Sequence, residues 1–103
     1  MNIFKEIPQI QTGDEYFDTL IDRESLMIER IFSNSIQNGQ WYDQDHDEWI
    51  ILLQGEAKLA FEDRVQSLIK GDYILIKAHQ RHRVESTSTD TVWLTVHLKD
   101  ITL

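Results

Sequence analysis

The sequence contains no cysteine. That absence removes disulfides, thiolate metal ligands and cysteine nucleophiles together, so any bound metal must take nitrogen and oxygen ligands. Basic charge is scarce: 10 Lys and Arg stand against 18 Asp and Glu, a formal net charge of -8. A polyanion would be repelled on average, which argues against nucleic-acid binding. Long apolar runs are missing too. The start, MNIFKEIPQIQTGDEYF, has no basic segment followed by an apolar stretch, and no window nears the ~20 apolar residues of a membrane helix. The expectation is a soluble, cytoplasmic protein with no membrane partner. No repeat, low-complexity tract or linker breaks the chain.

What is present suits one domain. A length of 103 residues supports a single core, and an apolar fraction of 41% argues against disorder. One early segment reads as a short helix: Asp14 and Glu15 precede Phe17, Leu20 and Ile21, which fall on one helical face. From Ser25 the pattern changes to β-branched and aromatic runs separated by polar breaks: SLMIERIFS, EWIILLQ, EAKLAFE, RVQSLIK, DYILIKA, HRVESTS and TVWLTVHL. Ala57, Leu59 and Phe61 alternate with Lys58 and Glu62, as in a half-buried strand. In the last run Val92, Leu94, Val96 and Leu98 oppose Trp93, Thr95 and His97. Both faces are partly apolar, which places that strand centrally or at an interface. Breaks at Gln54-Gly55, Glu62-Asp63 and Lys70-Gly71 mark tight turns, and closely spaced short strands point to an all-β sandwich or barrel.

The stretch GQWYDQDHDEWIILLQGE crowds Asp43, Asp45, Asp47 and Glu48 against an apolar run. An EF-hand loop is excluded, because the sixth position holds Glu48 in place of glycine and the twelfth holds Gln54 in place of glutamate. Asp43, Asp45 and Asp47 read as a solvated turn. Glu48 adjoins the apolar run directly, and six residues separate it from Gly55.

The runs DEWIILLQGEAKLAFED and KGDYILIKAHQRHRV resemble the two motifs of the cupin superfamily, which implies an antiparallel jelly-roll β-barrel. The family's first motif, G-x5-H-x-H-x(3,4)-E-x6-G, is matched in its tail by Glu48 and Gly55; the second, G-x5-P-x-G-x2-H, by Gly71 and His82. The resemblance covers about 39–98 of a single domain spanning 1–103, the short N-terminal helix preceding it. In metal-binding cupins the motif residues converge on one divalent ion. Here the two motif-one histidines are replaced by Tyr42 and Gln44, or by Trp41 and Asp43 in the alternative register, and His46 lies off both.

The second motif carries Lys77 for proline and His79 for glycine. His79 is either a surface turn residue or a substitute ligand; in the latter case Glu48, His82, His79 and Gln44 form the metal set, for iron, manganese, nickel or zinc. Without a metal, Glu48 and His82 form a buried catalytic pair able to serve as a general base. Arg81, with Lys77 and Arg83, either makes surface ion pairs or holds an anionic group at the barrel mouth. His97 lines the cavity or faces a dimer partner, and Tyr42, Arg81 and His97 are the candidate ligand-binding residues.

The resemblance implies a small-molecule ligand and a homodimer. Function stays open among a metal-dependent dioxygenase, isomerase or lyase, a metal-free binding module, and a dimerising module with a vestigial pocket.

Overall fold

A computed structural model describes residues 1–99; the last four positions of the expected domain lie outside the described residues. Eight strands form two antiparallel sheets: β1 (Glu15–Asp22), β2 (Leu26–Ser33), β3 (Asp47–Gln54), β4 (Glu56–Phe61), β5 (Val65–Ile69), β6 (Tyr73–Ile76), β7 (His82–Thr87) and β8 (Thr91–Leu98). The larger sheet has the order β1-β2-β8-β3-β6 and the smaller β5-β4-β7. They pack face to face as a jelly-roll barrel. The runs read as strands from Ser25 onward fall on β2 to β8, and β8 is central in its sheet.

The expected helix near Asp14 to Ile21 is instead the edge strand β1. It pairs with β2 from Glu15↔Ser33 to Asp22↔Met27, with a bulge between Thr19 and Ile21. The inserted residue reverses which face later side chains take. Phe17 therefore pairs with Ile31 and Ile21 with Ile28, apolar spacings that imitate a helical face in the sequence.

The core joins both sheets through Ile50, Leu52, Ala57, Leu59, Phe61, Leu68, Ile76 and Trp93. On β3 the alternation buries Glu48, Ile50 and Leu52 and leaves Trp49, Ile51 and Leu53 half-buried on the opposite face. On β8 the same rule turns Trp93, Thr95 and His97 inward. Arg30 faces the other way. Its guanidinium holds Asp18 at 2.6 Å and also donates to the carbonyls of Asn2, Ile3 and Lys5. Those bonds fix the N-terminal segment against the outer face.

Between β2 and β3 the chain runs beside β7, where Gly39 N–H donates to the Val84 carbonyl at 2.9 Å. A Cβ at Gly39 would lie 2.6 Å from that carbonyl oxygen, so only glycine allows the approach. No helix among the described residues is long and apolar enough to cross a membrane.

Candidate functional site

Strand register assembles the site. β3 and β8 pair with Glu48 directly opposite His97, and one inward rung further Glu29 of β2 lies opposite Thr95. Facing them from the smaller sheet is His82, the first residue of β7. Tyr42 is held by a bridge to His82, with backbone bonds of 2.8 and 3.1 Å, and this sets Tyr42 and Gln44 at the cavity. The cavity volume is about 290 Å³, near the lower end of the ~300–1,000 Å³ of small-molecule pockets.

Glu48 stands between two imidazoles. One carboxylate oxygen is 3.8 Å from His82 Nε2 and the other 3.8 Å from His97 Nε2. These separations exceed a hydrogen bond and leave the carboxyl accessible from the cavity. Burial raises the Glu48 pKa above its ordinary value; the charges of His97 and His82 and a hydrogen bond from Gln44 oppose the rise, and Glu29 adds to it. His82 donates Nδ1–H to the Gln80 carbonyl at 2.8 Å. In its neutral form the Nε2 lone pair therefore faces Glu48.

His97 belongs to a hydrogen-bonded line that reaches solvent. Its Nε2 lies 2.9 Å from Glu29, its Nδ1 2.8 Å from His46 Nε2, and His46 Nδ1 2.9 Å from Asp45. The hydrogen bond from His46, followed by its charge, holds Asp45 below its ordinary range.

Glu15 also reaches the cavity, accepting from Ser33 Oγ at 2.9 Å, while Ser33 accepts the indole N–H of Trp93 at 3.1 Å. Burial raises Glu15, with the Ser33 bond opposing. The Tyr42 phenol is raised by burial and then by the negative charges of Glu15 and Glu48, so it remains a neutral donor.

A family model described as a cupin domain matches residues 36–97. The chain belongs to the cupin family. Among solved structures, a protein from Ralstonia eutropha JMP134, provisionally named a mannose-6-phosphate isomerase, is 38% identical over 96% of both chains, with a TM-score of 0.85. KdgF from Halomonas sp. is 16% identical over 95% of this chain and 91% of its own, with a TM-score of 0.78. An RmlC-like cupin from Shewanella frigidimarina NCIMB 400 is 18% identical over 93% and 85%, with a TM-score of 0.76. The last two show the fold alone. No functionally curated protein matches the sequence.

In this cupin Tyr42, Gln44, Glu48, His82 and His97 all line the cavity. His79 does not. It occupies the turn before β7 at φ 63°, and its side chain is 71% exposed and bonded to Asp43 at 2.9 Å. That left-handed turn carries the imidazole outward, away from the expected ligand set. Arg81 is exposed, its guanidinium 4.5 Å over the Trp41 ring, and it does not line the cavity. The acidic stretch divides as its burial dictates: Asp43 and Asp47 staple the 77–80 turn through His79 and the Ala78 N–H, while Glu48 enters the barrel.

Sequence reasoning missed Glu15, Glu29 and His46. Glu29 carried a signal, since it shares the inward parity of Met27 and Ile31 in β2. Glu15 was obscured by the helical reading of its segment.

Metal-binding cupins hold a divalent ion, and the donors present here do not fit one. Among the described residues no three His, Asp or Glu groups converge on a point where an ion could sit. Both nitrogens of His97 are engaged, leaving His82 Nε2 as the one free imidazole nitrogen beside the cavity carboxyls and the amide oxygen of Gln44. One imidazole falls short of the three histidines of the family's metal set.

Proposed function

We propose that this cupin binds a small, partly apolar organic molecule in its barrel and moves a proton on it, in the manner of an isomerase or lyase. The observation that carries this reading is a buried carboxyl of raised proton affinity held 3.8 Å from an imidazole nitrogen whose lone pair faces the same cavity. Glu48 acts as the acid and His82 Nε2 as the base, or the reverse, on a substrate lying between them. Beside this pair, the line from Glu29 through His97 and His46 to Asp45 joins the cavity wall to solvent. The isomerase class is supported by the name given to the 38%-identical Ralstonia eutropha protein.

Deuterium exchange tests the reading. Hydroxyacetone, fructose and aminoacetone are incubated with the protein in D2O, and loss of the proton adjacent to the carbonyl is followed by NMR. Exchange with at least one compound, abolished in Glu48→Gln and reduced in His82→Asn, is expected. If the parent never exceeds Glu48→Gln, the acid–base assignment fails.

The protein is further inferred to act as a homodimer through the outer face of its larger sheet. Support comes from Trp49, Leu94 and Val96, which are only half-buried there, and from Tyr73 and Leu75 at 68% and 44% exposure. Val96→Glu should convert a dimer to a monomer in sedimentation velocity, and a monomeric parent would exclude this arrangement.

A further inference from the structure

Three carboxylates from three successive strands, Glu15, Glu29 and Glu48, line one cavity whose lining contains no lysine or arginine. The closest candidates for an anion clamp, Arg81 and Arg83, stack 4.5 and 4.9 Å over Trp41 outside it. A phosphate or carboxylate entering the barrel would lose its hydration beside three carboxyl groups, with no lysine or arginine among the described lining residues to replace it. A cation would meet the opposite conditions.

Carboxylates alone could be solvated side chains, but two further groups show that the cavity is built for a donor. Thr95 is 2% exposed, lines the cavity and leaves Oγ1 without a hydrogen-bond partner; the buried Oε1 of Gln44 beside Glu48 is also unpartnered. A buried amide oxygen with no donor is unfavourable until one arrives. The Trp93 ring inside and the Tyr42 ring at the mouth offer an apolar wall and π faces to a cation.

We infer that the cavity selects a small organic cation, a protonated amine on a short apolar body, over neutral and anionic molecules of the same shape. The ammonium sits among the carboxyl groups of Glu29 and Glu48 beside Gln44, while the apolar body lies against Trp93. The inference rests on the acid–base reading only in taking this cavity as the binding site.

Four probes test it at neutral pH: cyclohexylamine, cyclohexanol, cyclohexanecarboxylate and mannose 6-phosphate. The readout is the Trp93 indole N–H signal in 1H–15N NMR, assigned with Trp93→Phe, with the Trp41 and Trp49 signals as controls outside the cavity lining. Cyclohexylamine should shift the Trp93 signal saturably, with a Kd at least tenfold below that of the alcohol, and the two anions should leave it unmoved. Glu48→Gln should erase most of the preference. Glu15→Gln, on the edge strand, should weaken it in a second variant. Equal or stronger binding of the alcohol or an anion would overturn the cation preference while leaving the acid–base cavity intact. No Trp93 response to any probe would overturn both.

Discussion

Glu48 and His97 face each other across the β3–β8 pairing, inside the barrel, with a carboxylate oxygen and an imidazole nitrogen 3.8 Å apart. The sheet register alone makes this contact. A shift of one residue in either strand would send one partner to the outer face and leave the other buried beside apolar side chains.

The first prediction concerns pH. Burial lifts the Glu48 pKa above the ordinary value of 4.5. Above pH 4.5 the folded protein therefore keeps a proton that the unfolded chain has released. The stability linked to this group is fully present at low pH and falls as pH rises through the raised pKa. Glu48→Gln preserves shape and removes the titration. Its Tm should equal that of the parent near pH 4 and exceed it at pH 8, by roughly 4–8 °C if the linkage is worth about 1 kcal/mol in a domain of this size. Melting curves that run parallel across this range would contradict the assigned direction.

A second prediction isolates the line through His97. Removing the imidazole in His97→Leu leaves the Glu29 carboxylate and His46 Nε2 without their present partners, at a cost of about 1–3 kcal/mol. Glu29→Met removes the stranded carboxylate. The double variant should then be more stable than the sum of the single losses implies, with a coupling of about 0.5–3 kcal/mol in urea unfolding. Strict additivity would mean that the 2.9 Å contact contributes nothing to folding.

These residues also show what a sequence can and cannot disclose. Seven strands were legible as β-branched and aromatic runs separated by polar breaks, and Glu48, Gly55, Gly71 and His82 were legible because motif spacing singles them out. β1 was not, since its bulge disrupts the period of two. His97 was visible as a candidate, but its direction depended on the register with β3. The outward turn of His79 depends on a single left-handed backbone angle, which the neighbouring residues do not announce.

The third prediction concerns metal. With His79 outside the barrel and both nitrogens of His97 engaged, metal removal should matter little. Protein purified without a histidine tag and treated with EDTA should keep its Tm. Added iron, manganese, nickel or zinc should shift the parent no more than Glu48→Gln. Near-stoichiometric metal in the parent, lost in both Glu48→Gln and His82→Ala, would show that the cluster rearranges around an ion.

The last prediction separates two glycines that the family motifs treat alike. Gly55 and Gly71 both adopt left-handed angles, φ 89° and 92°. Alanine at either therefore costs about 1 kcal/mol or more in backbone conformation. Around Gly71 nothing lies within 4 Å of an added Cβ, whereas at Gly55 it would meet Ser88 Oγ at 2.6 Å and Thr91 Oγ1 at 2.8 Å. Those hydroxyls bond each other at 2.9 Å, and Ser88 Oγ also accepts the Glu56 N–H at 2.9 Å, joining the start of β4 to the turn before β8. Gly55→Ala must break this arrangement as well as strain the backbone. It should therefore lose at least about 1 kcal/mol more than Gly71→Ala in equilibrium unfolding. Equal losses would show that the turn yields freely and that Gly55 is required for its backbone angle alone.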